Sequence, residues 1–195
     1  MKLGLIRHGR TDWNAMGRIQ GVTDIPLNEE GKLQAVLLAN RLNKDELQWD
    51  AVVTSRLSRA LETGRIIADK LGIPLLEPEL LLVERSFGSI EGTVEQERLD
   101  AWGTEWRTNP EAGMESDESV RARSEAFLKK YTELMPNSKL LVVTHGSYLA
   151  QMLGVMVEGL DQSYLHNMCY SVLELNPEGW QSLLHNCTLH LEVTP

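Results

Sequence analysis

Ten consecutive residues gather most of the chemistry this chain offers: Leu5-Ile6-Arg7-His8-Gly9-Arg10-Thr11-Asp12-Trp13-Asn14. Arg7 can pin a phosphate through a forked, charge-assisted hydrogen bond. His8 can serve as nucleophile, acid-base group or metal ligand. Gly9 permits a sharp turn or a close approach of the backbone. Thr11 and Asn14 add neutral hydrogen-bonding groups. A lone Arg-His-Gly is a weak signal, and its weight depends on what the rest of the chain places beside it.

Two further stretches repeat the design. An apolar run ends in Ser55, Arg56 and Arg59, and another ends in Thr144, His145 and Gly146. Arg59 adjoins the apolar pair Ala60-Leu61, which puts it on the inner edge of a helix, whereas Arg56 falls outside. His145 on its own could equally be a satisfied core histidine. Carboxylates for proton transfer are plentiful. Glu84 stands near Glu77, Glu79, Glu91, Glu95 and Glu97, and residue chemistry alone selects none of them.

These residues need elements to position them. The apolar run 3–6 reads as a buried strand opening into a polar loop. Asn28 is placed to cap a helix over 29–42, with Leu33, Val36, Leu37 and Leu42 as its apolar stripe. Residues 49–54 read as a second strand. Leu57, Ala60, Leu61, Gly64, Ile67, Ala68 and Leu71 then follow at helical offsets, stopped by Gly72 and Pro74. Leu75 and Leu76 suit a short strand. The stretch 80–113 reads as irregular, with Gly88, Gly92, Trp102 and Trp106.

Ser116 or Asp117 opens the next helix, striped by Val120, Phe127, Leu128, Tyr131 and Leu134. Residues 139–144 form a buried strand that runs into His145-Gly146-Ser147 and a helix over 148–155. Residues 170–175 and 180–185 flank Asn176-Pro177-Glu178-Gly179, a hairpin with a four-residue loop. The pattern predicts an α/β fold: a three-layer α/β/α sandwich on a mostly parallel sheet, with an antiparallel strand near the C-terminal end. The expectation is one domain over 1–195, with a substrate-covering segment at about 86–115. Ligands of open α/β sheets sit beyond the carboxyl ends of the strands. Two histidines and several arginines would converge there, with two helix N-termini aimed at the same anion.

The 195 residues suffice for a sizeable core. The net charge of −9 disfavours a nucleic-acid surface, which needs a basic patch. It does not exclude an anionic substrate. A cation about 4 Å from a phosphate contributes about 4 kcal/mol at an effective dielectric of 20, while distant surface charge is screened. Cys169 and Cys187 show no close pairing motif and read as reduced thiols of a cytoplasmic protein. No apolar run approaches a membrane span, and Arg7 and His8 interrupt the first run too early for a signal peptide. The oligomeric state is left open, a homodimer included. Metal binding is the main rival reading, through His8, His145, His166, His185 and His190. None has the close spacing of common zinc sites, and arginines in the same pocket oppose a cation.

The whole set resembles the histidine phosphatase superfamily, in its phosphoglycerate-mutase-like branch, over about residues 3–190. The opening motif at 5–14 is joined by Leu27-Asn28-Glu29-Glu30-Gly31 with Gln34-Ala35, then Ser55-Arg56-Leu57-Ser58-Arg59-Ala60-Leu61-Glu62-Thr63. Glu84-Arg85-Ser86-Phe87-Gly88-Ser89-Ile90-Glu91-Gly92 and Val143-Thr144-His145-Gly146 complete the series. Two positions depart from the family pattern: Gly64 where alanine is frequent, and Ile90 where an aromatic is common. The resemblance implies that His8 is the nucleophile. It implies that Arg7, Arg59 and His145 hold the phosphoryl oxygens, with Asn14 assisting, and that Glu84 is the proton donor. Thr11 and Gly146 join the expected phosphate-binding set. It implies a phosphatase of small phosphorylated metabolites that needs no metal and no cofactor. A phosphoglycerate mutase and a non-catalytic phosphate-binding regulator are the alternatives. Trp102 and Trp106, four apart, could face a substrate or pack the covering segment onto the domain.

Overall fold

Alternation along the strands decides which helices cover which face of the sheet. In the computed structural model, which describes residues 1–161 and 164–192, five strands stand in the order β2-β3-β1-β4-β5. They are β1 (Lys2–Arg7), β2 (Ala51–Thr54), β3 (Lys139–Thr144), β4 (Tyr170–Asn176) and β5 (Gly179–Cys187). β1, β2 and β3 run parallel, while β4 pairs antiparallel with β1 and β5 antiparallel with β4. Leu3, Leu5, Val53, Leu140 and Val142 point to one face. There they meet α5 (Asp117–Leu134) and α6 (Gly146–Met156). Ile6, Val52, Leu141 and Val143 point to the other, under α2 (Glu29–Leu42) and α3 (Ser58–Leu71). The result is the expected three-layer sandwich, with successive side chains feeding opposite cores. The antiparallel addition is a two-strand hairpin.

Several local expectations change. The buried face of α2 is Gly31, Ala35, Leu38, Ala39 and Leu42, whereas Leu33 is 58% exposed. Two alanines, neutral to a reader counting large apolar residues, belong to the core in which α2 packs closely on α3. Leu134 is likewise exposed at the end of α5. The hairpin is tighter than a four-residue loop. Asn176 pairs with Gly179, and Gly179 takes φ +118 while Asn176 Oδ1 accepts from Glu178 N. Leu75 forms an isolated bridge to Val52 of β2, so the short strand at 75–76 survives only as that one contact, and a second bridge joins Ser55 to Glu79. The irregular stretch contains α4 (Glu95–Trp102), and α6 begins at Gly146 instead of 148. A four-residue α1 (Asp12–Ala15) follows the first loop.

Gly9 serves the fold. A Cβ there would sit 2.5 Å from Gly31 O, and one on Gly31 would sit 2.1 Å from Arg10 O. These two glycines let α2 press against the loop that carries His8. Residues 86–115 gather around a small separate core of Ile90, Trp106 and Ala112. No helix among the described residues is long and apolar enough to cross a membrane. Both cysteines are free and buried.

Candidate active site

The carboxyl ends of β1 and β3 open on one cavity of about 350 Å³. Its walls include Arg7, His8, Asn14, Arg59, Glu84 and Gly146. His145 stands behind His8, fully buried, with ring centroids 5.2 Å apart. The outer walls are Ile19, Phe87, Ala150, Tyr164 and Leu165, with Arg18 at the rim.

His8 is 2% exposed and hydrogen-bonds through Nδ1 to Gly9 O at 2.7 Å. A carbonyl only accepts, so Nδ1 carries the proton and Nε2 keeps its lone pair. Burial, then the charges of Arg59 and Arg7, hold His8 well below the usual histidine range. Burial holds His145 down in the same way, with Arg59, His8, Arg7 and Arg123 adding. Both rings are therefore neutral near pH 7. Neither ring nitrogen of His145 has a partner.

The positive charge of the pocket lies on Arg7 and Arg59. Both are tethered by carbonyls. Arg7 donates to Leu165 O at 2.6 Å, and Arg59 donates to Gly21 O at 2.7 Å and Thr23 O at 2.9 Å. No carboxylate of the described residues forms an ion pair with either. Burial lowers Arg59 to about 10 against the opposing pull of Glu84 and Asp24, so it stays charged at neutral pH. The Nε atoms of Arg7 and Arg59 are buried without partners. Such donors cost free energy until an acceptor arrives, and a phosphate supplies acceptors. Gly146 lets Arg7 pass closely: a Cβ there would lie 3.2 Å from Arg7 Nε.

Two expectations need correction. The N-terminus of α6 is already occupied: Glu84 accepts from Ser147 N at 3.1 Å and Tyr148 N at 2.8 Å. At α3 the first amide, Ser58 N, donates to Asp24 Oδ1 at 2.8 Å. Both helix ends attract anions as expected, but the anions are the protein's own carboxylates. Thr11 does not line the cavity. It caps α1, accepting from Asn14 N and donating to Gln20 Oε1. Asn14 does line it. Its Oδ1 accepts from Thr11 N and Asn167 Nδ2, which leaves Nδ2 as the donor it can offer.

Other side chains supply the frame, and sequence reading passed over them. Arg123 on α5 donates to Leu81 O and Val83 O, each at 2.9 Å, and pairs with Glu115. It thereby fixes the strand of chain leading to Glu84. Thr144 Oγ1 adds a bond to Leu82 O. Among the rival carboxylates, Glu79 holds Lys130 and Glu91 holds backbone amides of residues 22 and 23. Trp102 and Trp106 are not cavity residues. Trp106 is buried, with the guanidinium groups of Arg98 and Arg107 stacked over its ring at 4.6 and 4.1 Å from the centroid. Of the described residues, no three His, Cys, Asp or Glu side chains are grouped to hold a metal ion.

A histidine with a free Nε2 between two unpaired guanidiniums calls for comparison with known phosphate-transfer proteins. The profile of the histidine phosphatase superfamily (branch 1) matches residues 3–188. The chain belongs to this superfamily. It is 35% identical over 190 residues to the uncharacterized phosphatase PhoE of Bacillus subtilis (strain 168), covering 96% of this chain and 95% of that one. It is 33% identical over 192 residues to the probable phosphoglycerate mutase GpmB of Yersinia pestis (strain Pestoides F), covering 92% and 87%. The solved structure of a mycobacterial glucosyl-3-phosphoglycerate phosphatase with VO3 superposes with a TM-score of 0.84 at 25% identity, covering 95% of this chain and 99% of that one. The histidine phosphatase fold thus extends over nearly the whole chain, and phosphatases stand among its relatives.

Proposed function

We propose that this histidine phosphatase hydrolyses small-molecule phosphomonoesters through a phosphohistidine on His8, without a metal. The observation that carries this reading is the tautomer of His8, with Nδ1–H spent on Gly9 O and Nε2 free at the cavity. A nucleophilic histidine needs that arrangement. Arg7 and Arg59 carry the charge that neutralises the equatorial oxygens of the transferring group. Neutral His145 and the Asn14 amide serve as hydrogen-bond donors.

In the first step Nε2 attacks phosphorus and the P–O bond to the alcohol breaks. Glu84 gives its proton to the departing oxygen. In the second, Glu84 takes a proton from water, the water oxygen attacks phosphorus and the P–N bond breaks. Oε1 of Glu84 accepts from both Arg85 N and Tyr148 N, whereas Oε2 accepts from Ser147 N alone. The transferable proton belongs on Oε2. The walls of Ile19, Phe87, Ala150 and Leu165 suit the carbon body of a small alcohol, with Phe87 the contribution of residues 86–115 to that wall.

Nitrophenyl phosphate, with acid quenching to trap an acid-labile phosphoprotein, tests the reading. Wild type should release phosphate and form the adduct, and His8→Ala should do neither. A His8→Ala rate within about tenfold of wild type, a deficit of only ~1.4 kcal/mol, would exclude His8 as the nucleophile. Dialysis against a chelator should leave the rate unchanged. Similarity to GpmB favours a second reading as mutase, under which phosphoglycerate would isomerise faster than it releases phosphate.

A further inference from the structure

Glu91 lies outside the cavity walls, yet four donors converge on its carboxylate. Oε1 accepts from Val22 N and Phe87 N, each at 3.0 Å. Oε2 accepts from Thr23 N at 2.9 Å and from Thr23 Oγ1. The loop it grips is the loop that grips Arg59, through Gly21 O and Thr23 O. Gly21 makes this possible. It takes φ +57, and a Cβ there would lie 1.9 Å from Glu91 Oε1. The next residue, Asp24, caps the helix that carries Arg59.

A direct Glu–Arg pair would fix a guanidinium but neutralise it. Here the Gly21–Val22 peptide gives its N–H to Glu91 and its carbonyl to Arg59, while Thr23 gives its N–H to Glu91 and its own carbonyl, on the next peptide, to Arg59. Position is transmitted while the positive charge remains available to an anion.

We propose that Glu91 is a positioning residue for phosphate binding: it anchors residues 21–23 so that their carbonyls aim Arg59 into the cavity. The inference rests on the phosphatase reading for the identity of the ligand. It predicts a requirement for a carboxylate, because all four partners donate. An amide at 91 would set an NH₂ against at least one backbone N–H, that of Thr23 or those of Val22 and Phe87.

The test is a double-mutant cycle read by binding of inorganic phosphate, measured by calorimetry, with KM and kcat for nitrophenyl phosphate alongside. Glu91→Gln should weaken phosphate binding and raise KM by about 10- to 100-fold, the cost typical of misplacing a binding group by about 1 Å. Glu91→Ala should behave like Glu91→Gln. In an Arg59→Ala background, Glu91→Gln should change phosphate affinity by less than about twofold, because the residue it positions is gone. Thermal unfolding identifies variants that fail to fold, and Thr23→Val then perturbs the same clamp more gently, with a smaller loss in the same direction.

Undiminished phosphate affinity in folded Glu91→Gln overturns the proposal. So do losses that simply multiply in the double variant, since that marks a separate structural effect. Wild-type turnover decides the functional reading independently: a protein that binds phosphate but cleaves no ester leaves the cycle measurable while that reading fails.

Discussion

The two oxygens of Glu84 are unequally engaged, and that asymmetry has a kinetic consequence. With Oε2 free to exchange a proton, removal of the carboxyl group should matter most for substrates with poor leaving groups. An alkyl phosphate departs as a basic alkoxide, whereas nitrophenolate leaves without help. General acid assistance is typically worth ~10²–10⁴-fold where it is needed. Glu84→Gln should therefore depress alkyl phosphate cleavage by that order, spare formation of the phosphoprotein from nitrophenyl phosphate, and let the adduct accumulate. Rapid-quench comparison of the two substrates measures this. Equal losses without accumulation would send the search to Glu95 and Glu97. The sequence alone held six carboxylates open, because what separates them is distance across the fold. Glu84 is 63 and 64 positions from the amides it meets at Ser147 and Tyr148, and no local pattern encodes that contact.

α3 illustrates how much of an element is legible and where legibility stops. Its strong apolar periodicity and Gly72, which takes a left-handed φ of +66, set both its face and its end. Adjacency to Ala60-Leu61 also put Arg59 on the inner edge, where it is fully buried. What it could not show is Asp24 at the helix start, since that cap comes from another loop. α2 is the converse case. Its large residues Leu33, Val36 and Leu37 suggested one face, but Ala35 and Ala39 help define the buried one, because close packing of α2 on α3 rewards small side chains. Gly64 follows the same logic. A Cβ there would meet Thr54 Cγ2 at 2.2 Å. An alanine at this position needs a smaller neighbour than Thr54. Gly64→Ala should destabilise the protein by about 1–3 kcal/mol, the usual cost of overpacking. Thr54→Ser should recover most of it, as measured by urea unfolding of the single and double variants. A stabilised Gly64→Ala, gaining from helix propensity alone, would contradict this packing.

At the scale of the whole molecule, the fold keeps histidines neutral in its interior. His8 and His145 are both held well below the ordinary value of 6.5, chiefly by burial and then by Arg59, and burial brings His190 down to about 4. The sequence showed the alternating strands, but neutrality depends first on the complete burial of these rings and then on the arginines standing beside them, both of which only the assembled sheet edge provides. The sign of the pH effect follows. Below 6.5 the unfolded chain binds protons on these histidines while the folded protein does not. Stability therefore falls as pH drops from 6.5 toward the folded values, and is retained above 6.5. Each fully buried histidine contributes a slope of at most about 1.4 kcal/mol per pH unit. Glu79 and Glu115, both lowered from 4.5, act in the same direction but only further into acid. The interval between pH 6.5 and 5.5 consequently isolates the histidines. Urea unfolding at those two values should show a clear loss, and His145→Gln should flatten it by removing one proton-linked site. An equal slope in wild type and variant would mean that His145 takes up its proton in the folded protein, and the neutral pair behind the nucleophile would have to be abandoned.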